Sequence, residues 1–158
     1  MPAEETHIKW MTAAIEEART ASGLGEVPVG AVVVLENTVI GRGHNLRETT
    51  SDPTAHAEII AIRDACSYTG SWRLENADIY VTVEPCPMCA GALVNARISK
   101  LVFGCRDSKA GAVRSLYALA EDGRLNHRIT VTEGVLADEC GRIMSDFFAG
   151  LRSRRDQK

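Results

Sequence analysis

A chain of 158 residues is close to the length of one domain, and 45% hydrophobic with 25% charged residues is an ordinary globular balance. This composition excludes a disordered chain, a collagen and a disulfide-stapled miniprotein. The net charge of -3 argues against a nucleic-acid partner, but it averages two unlike halves. Residues 1–79 carry 6 Lys/Arg and 12 Asp/Glu, whereas residues 80–158 carry 12 and 9, which favours a basic face in the second half.

The sequence contains no predicted targeting or membrane segment. Its longest apolar run, Val29–Leu35, is far shorter than the roughly 20 residues that span a bilayer. The N-terminus is acidic and lacks the apolar core of a signal peptide. We therefore expect a cytoplasmic protein, in which five cysteines, an odd number, indicate metal or redox chemistry rather than a disulfide framework.

The predicted elements begin with an amphipathic helix over about residues 4–22, where apolar residues recur at helical spacing. Two β-branched runs, Val29–Leu35 and Val39–His44, predict paired strands joined by a turn at Glu36-Asn37. A helix over about residues 56–68 follows, after a Pro-Thr pair. The first half therefore reads as a helix, a hairpin and a second helix.

The second half continues with a buried strand at Asp78–Val83, a helix from about Pro87, and strands at Ser99–Cys105 and Ile129–Glu133. A last helix carries one apolar stripe, formed by Cys140, Ile143, Met144, Phe147, Phe148 and Leu151. Helices interleaved with a mixed sheet predict a layered α/β fold. We expect one domain over residues 1–158, with a short basic tail at about 152–158.

Two short motifs predict a metal centre. Proline is favoured at the first position of a helix, so Pro87 makes Cys86 the expected N-cap and puts Cys89 in the same first turn. The two sulfurs can then face one point, where the helix N-terminus favours thiolates. His56 is one more good ligand, and two Cys with one His leave a fourth position open, as in a catalytic zinc site.

Glu58 completes this pattern. Residues i and i+2 of a helix point about 200° apart, so His56 and Glu58 reach one site only if His56 lies at the helix start, as the preceding Pro-Thr pair predicts. Glu58 is then a general base and acid rather than a ligand. Taken singly, the cysteine pair is also compatible with a redox pair, and His56 with a simple cap. Together, the His-x-Glu and Pro-Cys-x-x-Cys motifs favour the zinc-deaminase pattern.

The motifs resemble those of the cytidine deaminase superfamily, and most closely those of the tRNA-specific adenosine deaminases, over nearly the whole chain. The stretches that carry the resemblance are Glu26–Ala31, Asp52–Glu58, Tyr80–Cys86, Met88–Ala92, Arg106–Lys109, Asn126–Arg128 and Ser145–Phe148. The resemblance implies a three-layer α-β-α fold with a central mixed five-stranded sheet. It also implies hydrolytic deamination of adenosine to inosine at the tRNA wobble position, and a homodimer.

Carried onto this chain, the resemblance implies one zinc ion held by His56, Cys86 and Cys89, with Glu58 as the proton shuttle. It implies that Asn45 hydrogen-bonds the purine, that Val29 is a wall of the base pocket, and that Asp107 lies near the anticodon nucleotides. Without the resemblance, we would interpret Asn45 as a turn residue, Val29 as a core residue and Asp107 as a solvated carboxylate.

Further RNA contacts are expected near the C-terminus. Phe147 and Phe148 both fit the apolar stripe, which predicts core packing, but the resemblance implies that the end of this helix contacts the anticodon loop, so that one ring packs while the other meets a splayed base. Arg152 begins a basic tail that includes Arg154, Arg155 and Lys158 and suits phosphate contact. Lys109, with Arg106 and Arg114, is a further candidate.

Two other functions remain open at this point. A free-base deaminase for guanine or cytosine would use the same zinc chemistry. Parts of the helix after His56 also resemble the guanine deaminases. A non-catalytic zinc module that binds RNA is the third hypothesis, but it would have no use for the unliganded carboxylate of Glu58.

Overall fold

In the computed structural model, which describes residues 3–157, the chain forms a central sheet flanked by helices. The elements follow in this order: α1 (Ala3–Gly23), β1 (Gly30–Leu35), β2 (Thr38–His44), α2 (Arg47–Thr50), α3 (Ala57–Thr69), β3 (Asp78–Val83), α4 (Pro87–Ala96), β4 (Lys100–Cys105), a short 3-10 helix (Leu119–Glu121), β5 (Thr130–Glu133) and α5 (Ala137–Asp156). Within the described residues, no helix is long and apolar enough to cross a membrane.

The sheet has the strand order β2-β1-β3-β4-β5. Strand β1 runs antiparallel to both of its neighbours, and β3, β4 and β5 are mutually parallel, so the sheet is mixed. The pairing of Ala31 with Val81 and of Val83 with Cys105 sets the register across the centre of the sheet. The fold is therefore the mixed five-stranded α/β arrangement predicted from the sequence.

Alternate residues of each strand face the two helical layers, as the two-residue period of a strand requires. Ala31 and Val33 of β1 belong to the core shared with α3 and α4, whereas Val32 and Val34 belong to the core shared with α1 and α5. Both faces of the central strands are thus buried, and the three-layer prediction is confirmed.

The predicted elements match the structure closely, including the hairpin turn, and the differences are local. The turn at Glu36-Asn37 has positive φ at both residues, the geometry that suits a two-residue hairpin. The four-residue helix α2 was not predicted, because one turn is too short to show a helical period. The basic segment expected as a tail from residue 152 is the continuation of α5 to Asp156, and Lys158 lies outside the described residues.

Gly43 brings α3 close to the sheet and so sets where His56 lies. A Cβ atom at Gly43 would lie 2.3 Å from the Ala57 carbonyl oxygen and 2.6 Å from the Ala61 amide nitrogen. Helix α3 therefore packs directly on the backbone of β2, and its first turn is held near the edge of the sheet where β2 ends.

We predict that Gly43→Ala lowers the free energy of unfolding by about 1–3 kcal/mol, because the added methyl overpacks the contact between β2 and α3. Gly141→Ala is the matched control: it lies in α5 with no atom within 4 Å of the added Cβ, so it should be neutral or slightly stabilising. Urea denaturation followed by circular dichroism measures both. Equal stability of the two variants would contradict the close packing of α3 on β2.

Candidate active site

Two helix N-termini meet at one edge of the sheet and bring three ligand-type side chains together. His56 is the N-cap of α3 and Cys86 is the N-cap of α4, each with an extended backbone conformation. The Nδ1 atom of His56 lies 3.6 Å from the Cys86 sulfur and 3.5 Å from the Cys89 sulfur. The three ligand atoms all lie within 4.8 Å of one another, so they can converge on a single ion.

The spacing of these atoms suits tetrahedral zinc. Zn–S bonds of about 2.3 Å and a Zn–N bond of about 2.0–2.1 Å, set at the tetrahedral angle, place nitrogen and sulfur about 3.6 Å apart. The two observed N–S distances, 3.6 Å and 3.5 Å, agree with that value. One imidazole and two thiols are also the donor set that zinc prefers, so the residues present fit this metal.

The protonation of these groups follows from their neighbours. Hydrogen bonds from Cys89 and His56 to the Cys86 sulfur lower the pKa of Cys86 to about 4, so this side chain is a thiolate at neutral pH. The pKa of Cys89 is raised, because its thiol donates to Cys86 and is buried. The pKa of His56 is raised by its hydrogen bond with Cys86.

Glu58 lies beside this cluster as the second residue of α3. Its side chain is only 4% exposed, and this burial raises its pKa to about 7. A carboxyl with a pKa near neutrality can both accept and donate a proton at physiological pH, which is what general acid–base chemistry needs. The helix start that brings His56 and Glu58 to one site is the arrangement expected from the sequence.

A cavity of about 190 Å³ lies against His56, Glu58 and Cys86. This volume is below the range of about 300–1,000 Å³ that is typical of drug-sized ligand sites, so the cavity suits one small group. Its lining contains three more of the predicted residues, Val29, Asn45 and Asp107. The other lining residues are Val27, Arg47, Ala57, Val83, Glu84, Ala110 and Met144.

Asn45 is held firmly in this pocket. Its Nδ2 donates to the Val27 carbonyl oxygen at 3.2 Å, and its Oδ1 accepts from the Arg47 backbone N–H at 3.1 Å. A side-chain amide has two N–H donors and two acceptor lone pairs, so these bonds leave one of each for a ligand. The buried amide is therefore oriented before any ligand arrives.

An open groove of about 810 Å³ continues from the pocket along the surface. Asp107, Arg47 and Met144 line both the pocket and the groove, so the two are continuous. Lys109, Phe148 and Arg152 line the groove as well. Phe148 is 39% exposed there, which leaves an aromatic surface beside exposed cationic side chains.

Other predicted residues lie elsewhere. Phe147 is 8% exposed and packs edge-on against Phe148, and it lines a separate surface hollow between α1 and α5 that holds none of the ligand-type residues. Arg106 lines the groove but is paired with Glu133, and Arg114 is paired with Glu121.

Three functional residues were missed by the sequence reasoning. Arg47 and Met144 line the pocket mouth, but one lies on the unpredicted helix α2 and the other is part of an apolar stripe. Glu84 lies next to the Pro-Cys motif without a predicted role. Burial alone would raise its pKa, but hydrogen bonds from Ser115 and from backbone amides lower it to about 2, so it is a buried carboxylate anion. The sequence signal that could have identified Glu84 is an acidic residue directly after a strand that is predicted to be buried.

A second buried carboxylate, Glu26, supports helix α2, whose first residue Arg47 lines the pocket. It accepts hydrogen bonds from the backbone N–H groups of Glu48 at 3.1 Å and Thr49 at 2.6 Å. Burial acts to raise the pKa of Glu26, but these hydrogen bonds keep it below its usual value. Helix α2, which carries Arg47, is therefore fixed by a charge that lies outside it.

Comparisons with known proteins agree on a deaminase. The family model of the MafB19-like deaminases matches residues 5–152. The tRNA-specific adenosine deaminase of Bacillus subtilis is 50% identical over 146 residues, which cover 92% of this chain and 91% of that protein.

Two solved structures are also similar. One, from a study of A-to-I editing by tRNA:A34 deaminases at the wobble position of transfer RNA, is 44% identical with a TM-score of 0.82, and the match covers 85% of this chain and 98% of that chain. A guanine deaminase from Bacillus subtilis is 36% identical with a TM-score of 0.61, and the match covers 67% of this chain and 66% of that one.

The low pKa of Cys86 makes a testable prediction about its reactivity. In protein stripped of metal at neutral pH, iodoacetamide should alkylate Cys86 well before Cys66, because the thiolate is the nucleophile and burial raises the pKa of Cys66. Peptide mass spectrometry measures the rate at each cysteine, and added zinc should protect Cys86. Equal rates at Cys86 and Cys66 would contradict the thiolate assignment.

Proposed function

The chain belongs to the family of tRNA-specific adenosine deaminases, and we propose that it hydrolyses the adenosine at the wobble position of a tRNA anticodon to inosine, with release of ammonia. The observation that carries this proposal is the buried carboxyl of Glu58 beside the His56, Cys86 and Cys89 cluster, in a small pocket that opens onto an aromatic and cationic groove. Each part of that arrangement has a role in the reaction.

His56, Cys86 and Cys89 hold one zinc ion in this proposal. The match between their N–S distances and tetrahedral zinc geometry supports the assignment. When bound, zinc supplies Lewis-acid activation of a water molecule. The extended conformation of Cys86 as the N-cap of α4 supports a fixed ligand position, because α4 is buried against the sheet.

Glu58 moves the protons. At its raised pKa, the carboxylate accepts a proton from the attacking water, and the resulting acid delivers a proton to the purine ring nitrogen. The oxygen of water adds to C6, and Glu58 then carries the second proton from the new C6 hydroxyl to the exocyclic amino group. The bond between C6 and this amino nitrogen breaks, ammonia leaves and C6 becomes a carbonyl carbon. The buried position of Glu58 supports this role, since a carboxyl in water, with a pKa of about 4.3, would be ionised at neutral pH and too weak a base to take a proton from water.

The base enters the pocket alone. Asn45 offers the purine one donor and one acceptor, Val29 contributes an apolar wall, and Asp107 stands at the mouth toward the neighbouring nucleotides. A cavity of about 190 Å³ supports a flipped-out base, because stacked neighbours cannot enter with it. An anticodon loop supplies a base that is already unpaired.

The anticodon arm of the tRNA lies along the groove. Lys109 and Arg152 contact phosphates, and the exposed ring of Phe148 stacks on a splayed base. Of the two rings, the exposed Phe148 is therefore the one that meets the base, and the buried Phe147 is the one that packs. The cationic side chains that line the groove support this surface as the RNA face.

A free-base guanine deaminase is the less supported alternative. The guanine deaminase structure shares a smaller part of the chain at lower identity than the tRNA:A34 deaminase structure. A groove with an exposed aromatic ring and several cationic side chains has no use in an enzyme whose whole substrate fits inside the pocket. Assays with an adenosine-34 anticodon stem-loop and with free guanine distinguish the two functions.

Two further parts of the proposal concern assembly and location. We propose a homodimer, which three exposed apolar side chains support: Met88 lies on α4, and Leu116 and Tyr117 precede the short 3-10 helix that packs against α4. Light scattering should then give about twice the chain mass of 17.1 kDa. A tRNA substrate also supports a cytoplasmic location.

We predict that Glu58→Gln keeps one zinc per chain and loses about 10²–10⁴-fold in turnover, because the isosteric amide cannot carry the proton. Inosine formation in an anticodon stem-loop and metal analysis by mass spectrometry measure the two effects. Glu75→Gln is the matched control, since Glu75 is an exposed carboxylate paired with Arg73, and its variant should keep full turnover. Normal turnover of Glu58→Gln would refute the proton-shuttle role.

The neighbouring phenylalanines give a second prediction. Phe148→Ala should raise the KM for the stem-loop about tenfold with little change in stability, because a base-stacking ring is lost. Phe147→Ala should instead lower the free energy of unfolding by about 3 kcal/mol and leave KM unchanged at temperatures where it is folded. Steady-state kinetics and urea denaturation measure both variants. A KM effect confined to Phe147→Ala would reverse the assignment of the two rings.

A further inference from the structure

Glu84 is a buried carboxylate with an unusual set of partners. It follows the last residue of β3 and precedes Cys86 by two residues, and it is 3% exposed. Its oxygens are met by backbone N–H groups and one hydroxyl, all from the single segment 107–115. This contact therefore joins the strand that leads to the cysteine motif with a distant part of the chain.

Five hydrogen bonds make the connection. Oε1 accepts from the Asp107 N–H at 3.0 Å and from the Ser115 hydroxyl. Oε2 accepts from the N–H groups of Val113 at 3.1 Å, Arg114 at 2.7 Å and Ser115 at 2.8 Å. Hydrogen bonds to a charged group are each stronger than neutral ones, so this carboxylate is the main polar anchor of the segment.

The backbone of segment 107–115 wraps closely around the carboxylate. A Cβ atom at Gly111 would collide with all three atoms of the Glu84 carboxyl group, so only glycine allows this approach. The Ala112 N–H also donates to the Pro85 carbonyl oxygen at 2.8 Å. The segment contains neither helix nor strand, so its shape depends on these bonds rather than on a regular ladder.

The same segment forms one wall of the pocket and of the groove. Asp107 and Ala110 line the pocket, and Asp107 and Lys109 line the groove. Asp107 Oδ1 accepts from the N–H groups of Lys109 and Ala110, so the turn that carries Lys109 is built on Asp107. The Asp107 N–H is itself held by Glu84.

We propose that Glu84 is a positioning residue for substrate: its carboxylate shapes segment 107–115 and thereby sets where Asp107 and Lys109 meet the RNA. Glu84 borders the pocket, but both of its carboxylate oxygens are hydrogen-bonded to segment 107–115, so its role is to position that segment. The consequence for RNA binding rests on the proposed function, whereas the shaping of the segment does not. The alternative is that Glu84 merely supports the backbone before Cys86, and this alternative predicts loss of zinc instead.

Glu84→Gln tests the proposal, because the amide keeps the size of the side chain but loses the charge and turns one acceptor into a donor. We expect the KM for the anticodon stem-loop to rise about tenfold while kcat and zinc content stay near wild type. A displaced segment weakens the contacts of Asp107 and Lys109 with the RNA, and the lost binding free energy is about that of one charged hydrogen bond. A variant that was only partly folded would lower kcat and leave KM unchanged.

A second readout is independent of activity. Trypsin cleaves after Lys109 and Arg114, both within the segment, and cleavage at these two sites under native conditions should be faster in Glu84→Gln. Asp64→Asn is the matched control, because the Asp64 carboxylate also accepts a backbone N–H, from Arg42 at 2.9 Å, but on the face away from the pocket. It should change neither KM nor cleavage within the segment.

Gly111→Ala provides an independent variant that leaves Glu84 in place and forces the segment away from it, and Ser115→Ala removes one donor. If Glu84→Gln fails to fold, these two variants carry the test, with the smaller KM change expected for Ser115→Ala. The proposal would be overturned if both variants kept the wild-type KM and the wild-type rate of trypsin cleavage within the segment. It would also be overturned if the variants lost zinc while KM stayed unchanged. Faster cleavage in a protein whose wild type does not deaminate the stem-loop would instead overturn the proposed function.

Discussion

The direction of one strand organises the whole site. Because β1 runs antiparallel to both β2 and β3, its amino end lies at the same edge of the sheet as the carboxyl ends of β2 and β3, and of β4, which is parallel to β3. Val29, Asn45, Glu84 and Asp107 each lie at or just beyond one of these four strand ends. Helices α3 and α4 begin at that edge as well, so their N-caps place His56 and the cysteine motif beside the same pocket. Carboxyl ends of strands are the common place for ligands in open α/β sheets.

Three buried carboxyl groups around this edge have opposite tasks, and their surroundings decide which is which. Glu84 accepts several N–H bonds, so its pKa falls to about 2 and it remains an anion that holds the chain. Glu26 does the same for helix α2, with fewer partners. At Glu58 the effect of burial outweighs the hydrogen bonds that it accepts, so its pKa rises to about 7 and it can exchange protons. The surroundings of each carboxyl group thus separate the two anchors from the proposed proton carrier.

The charge of the molecule has to be considered locally. The net charge of -3 describes the whole chain, but the groove that leaves the pocket carries Arg47, Lys109 and Arg152 around an exposed Phe148. Electrostatic attraction to phosphates acts over about a Debye length, so the side chains beside the bound strand matter more than distant acidic residues. An acidic protein can therefore present a surface suited to RNA.

Apart from helix α2 and the short 3-10 helix, the sequence by itself determined the elements, and it also determined which side chains could hold a metal ion, because both are encoded locally. Strand and helix periods show in neighbouring residues, and Pro87 with the Pro-Thr pair before His56 marks the helix starts where ligands converge. Only the tertiary structure decided the strand order, the burial of Phe147 against the exposure of Phe148, and the anchoring of segment 107–115 by Glu84. These depend on contacts between residues far apart in the chain: Glu84 and Ser115 are 31 positions apart, and no local pattern records which distant amides a carboxylate will meet.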